Sequence, residues 1–165
     1  MIKLALTSIA ALFAVSAFAE DVPITGNVES KCIIVTDTDG VYGNSTPSNL
    51  STDAADGGVE PIIRFDVLQA DYYKAVISHP ITFSQSPALS DTTSWTGSTS
   101  VSQTSDANMS GYDTNKITYD NSTEYDLTVA GTTWFKVSSE VDYGYDKAFP
   151  AGIYRAVVQA ECIAQ

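Results

Sequence analysis

Residues 21–35 read DVPITGNVESKCIIV. Val22, Ile24, Gly26, Val28, Ser30 and Cys32 fall at every second position, with polar neighbours from Thr25 to Lys31. A period of two sends successive side chains to opposite faces, so this stretch reads as a half-buried β-strand. Cys32–Val35 then turns continuously apolar, as a strand covered on both faces does. The far end of the chain alternates too. In Ile153–Gln165, Tyr154, Ala156, Val158, Ala160 and Cys162 share one face. Arg155, Gln159 and Glu161 lie on the other, together with Ile153, Val157 and Ile163.

Between these ends, strand signals recur and helix signals are nearly absent. Thr36–Gly58 is rich in Gly, Asn, Asp, Ser and Pro and reads as a long loop or loose hairpin. Val59–Gln69 resumes as a strand, with Pro61 placing its start at an edge or bulge. Asp71–Ser78 alternates again until His79-Pro80 interrupts it. Ser84–Ser110 holds 14 Ser or Thr among 27 residues. Such low complexity suits a linker, but Trp95, Val101 and the β-branched Thr residues favour polar strands joined by loops. Lys116–Ala130 offers two short strands around Asp120-Asn121-Ser122. Thr132–Tyr145 carries Trp134, Phe135, Val137, Val141, Tyr143 and Tyr145, the aromatic and β-branched types that strands prefer. Seven or so short strands with turns between them argue for an all-β sandwich.

The chain has 165 residues, 20 Asp+Glu against 8 Lys+Arg, one His and two Cys. Its formal charge of −12 argues against nucleic acid, which is bound by clustered Lys and Arg. Residues 1–19 read MIKLALTSIAALFAVSAFA, with Lys3 as the lone charge and a small-x-small Ala17-Phe18-Ala19 ending. This is the pattern of a secretory signal peptide, and export is the expectation. Removing Lys3 with it leaves seven basic against 20 acidic side chains, a formal charge of −13. An oxidising compartment favours a disulfide between Cys32 and Cys162 over two free buried thiols. A closed loop of that length stabilises a fold by roughly 4–5 kcal/mol in the chain-entropy model, and its two ends must lie side by side.

Catalytic patterns are scarce. His79 precedes Pro80 in an apolar stretch, which suits a strand end better than acid–base work. No Gly-x-Ser-x-Gly elbow, Gly-rich phosphate loop or His-Glu-x-x-His occurs. Asp37, Asp39, Asp53 and Asp56 are candidate calcium ligands, yet no terminal Glu completes a loop, so a solvated acidic loop is expected. Asn44, Asn49, Asn108 and Asn121 begin Asn-x-Ser/Thr triplets that a Ser/Thr-rich chain produces by chance. No enzyme, cofactor or metal is expected.

The N-terminal stretch resembles the extensions of chaperone–usher pilins, the structural subunits of fimbriae. The match is Ile24, Gly26 and Val28 in an apolar-x-Gly-x-apolar run, followed by Cys32 on the first core strand. The closing AGIYRAVVQAECIAQ looks like the final groove-edge strand of such subunits. Two departures stand beside the likeness: the partner cysteine is at the far end instead of the second strand, and no penultimate aromatic precedes Gln165. The resemblance implies residues 20–31 as a donor-strand extension and 32–165 as an incomplete immunoglobulin-like sandwich. A neighbour's strand would complete that sandwich, with Val22, Ile24, Gly26 and Val28 as donor residues. It further implies other copies of the chain as partners, with a periplasmic chaperone and an outer-membrane usher. The implied route is through the periplasm to a cell-surface fimbrium that serves attachment, with a host or surface glycan as its receptor. The reading from a different class is a monomeric, secreted, lectin-like sandwich whose Trp95, Trp134 and Tyr residues stack on sugars.

Overall fold

The computed structural model describes residues 23–25 and 31–165. The signal segment and donor residues Val22, Gly26 and Val28 lie outside the described residues. Among the described residues nine strands form two antiparallel sheets: β1 (Cys32–Thr38), β2 (Asn49–Ser51), β3 (Ile62–Val67), β4 (Tyr73–Ser78), β5 (Ser94–Thr104), β6 (Ile117–Thr118), β7 (Ser122–Leu127), β8 (Gly131–Asp142) and β9 (Gln159–Ala164). One four-residue α-helix, α1 (Tyr112–Asn115), precedes β6. Among the described residues no helix is long and apolar enough to cross a membrane.

The longest strand, β8, organises the first sheet. β5 runs along one of its edges, from Ser94 opposite Asp142 to Thr104 opposite Thr133. β3 pairs with its lower half and β2 with its upper end, and β1 lies outside β3. The second sheet has the order β6-β7-β4-β9. Here "lower" means the end where β1 starts and "upper" the end where it finishes.

Period two decides what the sheets bury between them. From β8 come Thr133, Phe135, Val137, Ser139 and Val141; from β3 come Ile63, Phe65 and Val67. Tyr73, Ala75 and Ile77 of β4, with Thr123, Tyr125 and Leu127 of β7, close from the other side. Phe135 is the hub, 5.4 Å from Phe65 edge-on and 4.5 Å from Tyr125. Each such aliphatic or aromatic side chain contributes about 1.5–3 kcal/mol by leaving water. The Tyr125 hydroxyl, buried with its ring, donates to Thr99 O at 2.8 Å, and burial raises its pKa.

A second aromatic group fills the upper end. Phe83 meets Trp95 at 4.7 Å and Tyr154 at 5.1 Å, while Phe149 stacks on Tyr143 at 5.1 Å. These contacts pin residues 79–93 and 143–155 over the top of the shorter second sheet.

Two expectations change. Cys32–Val35 is not covered on both faces: Ile33 and Ile34 are both exposed, since β1 is an edge strand. Nor is Thr132–Tyr145 strand to its end; β8 stops at Asp142, and Gly144 (φ 100°) turns the chain. The Ser/Thr-rich stretch does supply a strand, the 11-residue β5.

At the lower end Cys32 and Cys162 form a disulfide across 130 residues, with their Cα atoms 6.4 Å apart. It ties an edge strand of one sheet to an edge strand of the other. Replacing both cysteines (Cys32→Ala with Cys162→Ala) is expected to lower stability by about 2–5 kcal/mol, read by urea unfolding. Alkylation of the folded protein without reduction should label no thiol; two labelled cysteines would contradict the bond.

Candidate functional site: a cleft between two unpaired strand edges

β1 and β9 share a base at the disulfide. β1 uses one edge to pair with β3, and β9 uses one edge to pair with β4. Among the described residues no strand pairs with the opposite edge of either. Upstream of β9, residues 154–158 keep the burial alternation of a strand. Their backbone bridge, Arg155 with Gln85, continues the β4 side and leaves the other side unpaired.

Between these edges lies a cleft of about 870 Å³. Thr36 and Thr38 of β1 form one wall, and Tyr154, Ala156 and Val158 form the other. Ile63 and Leu50, both buried, lie at its floor. The side chains of β1 that alternate with Cys32 point toward the core, yet Ile34 is 36% exposed and Thr36 is exposed as well. Core-facing positions are therefore open to solvent along this one side of the sandwich.

Polar groups in the floor are satisfied internally. The Tyr42 hydroxyl and Ser139 Oγ share a hydrogen bond of 2.8 Å, and burial holds the phenol above its ordinary pKa. Thr52 Oγ1 accepts from the backbone N–H of Ser139 at 2.9 Å. A strand laid in the cleft would meet backbone donors and acceptors along both walls and apolar side chains beneath, the arrangement that strand addition uses.

The outer edge of β5 is managed differently. Asp113 Oδ2 accepts from the Val101 N–H at 3.0 Å, and Lys116 Nζ donates to Thr99 O at 2.7 Å. One acidic and one basic side chain, paired at 3.3 Å, thus occupy backbone groups that a neighbouring strand would use. The opposite sheet ends in β6, only two residues long. Charged residues and short strands are the usual guards of sheet edges. Along the cleft β1 and the 154–164 segment carry one charged residue, Arg155, and among the described residues no side-chain bond from it covers a backbone group of either edge.

Other residues singled out in the sequence fall elsewhere. Ile24 is the one described donor residue and is 97% exposed. His79 is buried, its ring against Gly97, where a Cβ would come within 2.6 Å of the imidazole. Asp53 caps the short turn Ala54–Asp56 by accepting from the Ala55 N–H, and Asp56 accepts from Ser45. Asp37 accepts from the Trp134 indole at 3.3 Å. Among the described residues no three metal-ligating side chains come together.

The two tryptophans do not share a platform. Trp95 pairs in register with inward-facing Val141 and packs on Phe83. Trp134 alternates with the inward residues of β8 and stands on the outer face beside Arg64. The Asp113–Lys116 guard and the uncovered row on β1 were not recognised in the sequence. Each depends on which strands become neighbours.

No family model, curated protein or solved structure matches the chain. Replacing both guards (Asp113→Ala with Lys116→Ala) is expected to cost under about 1 kcal/mol of stability, as exposed pairs do. The same change should raise concentration-dependent light scattering by freeing the β5 edge. Unchanged scattering would show that the pair does not guard it.

Proposed function

We propose that the chain is a structural subunit of a surface fimbria, an incomplete immunoglobulin-like sandwich completed by a strand from a second copy. The observation that carries this reading is the pair of unpaired edges flanking an open, apolar-floored cleft. Residues 20–30 supply a matching strand. At about 3.3 Å per residue they reach roughly 36 Å, and the seven residues of β1 span about 23 Å. Val22, Ile24 and Val28 would fill successive positions over the core, and Gly26 would accept the closest backbone approach.

Direction supports polymerisation over pairing. Residues 20–30 join the body at Lys31, beside the disulfide at the lower end, whereas the cleft lining lies toward the upper end. A lower-end arm filling an upper-end cleft is a heterologous contact, and such contacts propagate as filaments when they do not close. On this reading the chain is exported through the periplasm. A chaperone and an outer-membrane usher, both implied by the N-terminal resemblance, shield the cleft until exchange. Its role is assembly and attachment without catalytic turnover.

The full-length chain is expected to form fibres and a chain lacking residues 20–30 to form none, by electron microscopy. The truncated chain should still bind a synthetic peptide of residues 20–31. Gly26→Phe in that peptide should weaken binding at least about tenfold, since a bulky side chain cannot sit where two backbones meet. Fibres from the truncated chain, or a stable full-length monomer whose own arm fills its cleft, would overturn the proposal.

A further inference from the structure

We propose that successive subunits also meet through side chains, the turn Asp142–Lys147 of one copy packing on the loop 68–72 of the next. The inference rests on the strand-exchange reading for the direction of growth. Two surface features of the described residues carry the rest.

The upper feature is a tyrosine held out on a rigid turn. Tyr145 is 92% exposed, between Gly144 (φ 100°) and Asp146 (φ 58°). Aspartate is among the few residues other than glycine that adopt the left-handed region as single turn residues, so Gly144 and Asp146 together suit a tight turn here. The Gly144 N–H donates to Asp142 Oδ1 at 2.6 Å. Lys147 Nζ reaches Asp91 Oδ2 at 2.8 Å and lies 5.5 Å over the Tyr143 ring. The Tyr143 hydroxyl accepts from the Ser90 N–H at 2.8 Å, and Phe149 stacks behind the same ring. Asp142, Tyr143, Gly144 and Lys147 are thus held in place, and the backbone presents the Tyr145 side chain to solvent. An exposed aromatic side chain carried on a held backbone is the type of residue that interfaces use as an anchor. Exposed Ile153 adds a second apolar side chain at this end.

The lower feature surrounds the base of the arm. Leu68 is 69% exposed, and its N–H donates to Lys31 O at 2.9 Å, next to the point where residues 20–30 begin. Tyr72 is exposed too and packs edge-on against Tyr73 at 5.0 Å. Asp71 (φ 55°) turns the loop, and its N–H is held by Leu127 O at 3.2 Å.

Arm length brings the two features together. With Val22–Val28 laid in the cleft, Glu29 and Ser30 alone separate the strand from Lys31. The three Cα steps from Val28 to Lys31 span about 11 Å at full extension. The lower end of the incoming body is thereby drawn against the upper end of the acceptor, where Tyr145 projects. The occupant of each patch is a second copy of this chain.

Fibres of full-length protein carrying Tyr145→Cys together with Leu68→Cys, mildly oxidised and run on a non-reducing gel, test this contact. A ladder of covalent multimers is expected, and none from Tyr145→Cys with Ile117→Cys, since Ile117 lies on the short strand β6 away from both ends. Failure of the Leu68 pair to crosslink in fibres that do form, or an equal ladder from the Ile117 pair, overturns the contact and leaves strand exchange standing. If the unsubstituted chain makes no fibres, strand exchange fails first and this contact falls with it.

Discussion

The bond between Cys32 and Cys162 is the constraint from which the rest of the molecule follows. It joins the outermost strand of one sheet to the outermost strand of the other, where an unlinked sandwich could splay. With the lower ends held 6.4 Å apart at Cα, the walls above must stay near each other without pairing. The core anchored by Phe65, Tyr125 and Phe135 sets the sheet separation, and the aromatic group around Phe83 sets the upper rim. The cleft is what these three constraints leave between them.

Contrast between the edges gives the cleft its meaning. An unpaired strand edge invites association with any extended chain, and folded proteins suppress that hazard where they can. Here β5, the longest edge, has backbone groups engaged by Asp113 and Lys116, and β6 presents almost no edge at all. The β1 edge and the 154–164 edge are left open over apolar ground. A chain that guards one edge with placed charges has the means to guard another. Among the described residues two edges are left without a paired strand on either side of one cleft, which is the feature the proposed strand addition would use.

Much of the architecture was legible because strand burial repeats every two residues. Tyr154, Ala156, Val158, Ala160 and Cys162 do share a face, and Ile63, Phe65 and Val67 are buried in alternation. The misreading of Cys32–Val35 has a simple physical origin. Apolar side chains on both faces are the pattern of a strand covered on both sides, whether by its own chain or by another. Within the described residues the outward face and part of the inward face of β1 meet solvent. Ser84–Ser110 has a linker's composition, but its β-branched Thr residues and Trp95 point to polar strands. β5 is one, with hydroxyls such as Ser98 and Ser138 bonded to one another across strands at 2.8 Å. The cleft itself was not legible as geometry: it needs both ends of the chain side by side, and the cysteines were the one signal that they would be.

Net charge explains why such a site should be built from backbone and apolar groups. Without its first 19 residues the chain carries a formal −13, so two copies repel at long range. At physiological salt that repulsion fades over about 8 Å, so attraction has to come from contacts shorter than this. Backbone hydrogen bonds along a strand carry no net charge, and Ile63, Leu50, Ala156 and Val158 beneath them add none. A charged anchor in the cleft would either amplify the repulsion or have to be desolvated against a partner, which seldom yields net stabilisation. Asp39 and Arg155 are the two charged residues in its lining, one beyond the end of β1 and the other exposed on the opposite wall. An acidic surface outside and a cleft of near-zero charge inside are consistent with the proposed strand exchange. In that exchange long-range repulsion keeps copies apart until an extended segment reaches a place where short-range forces act.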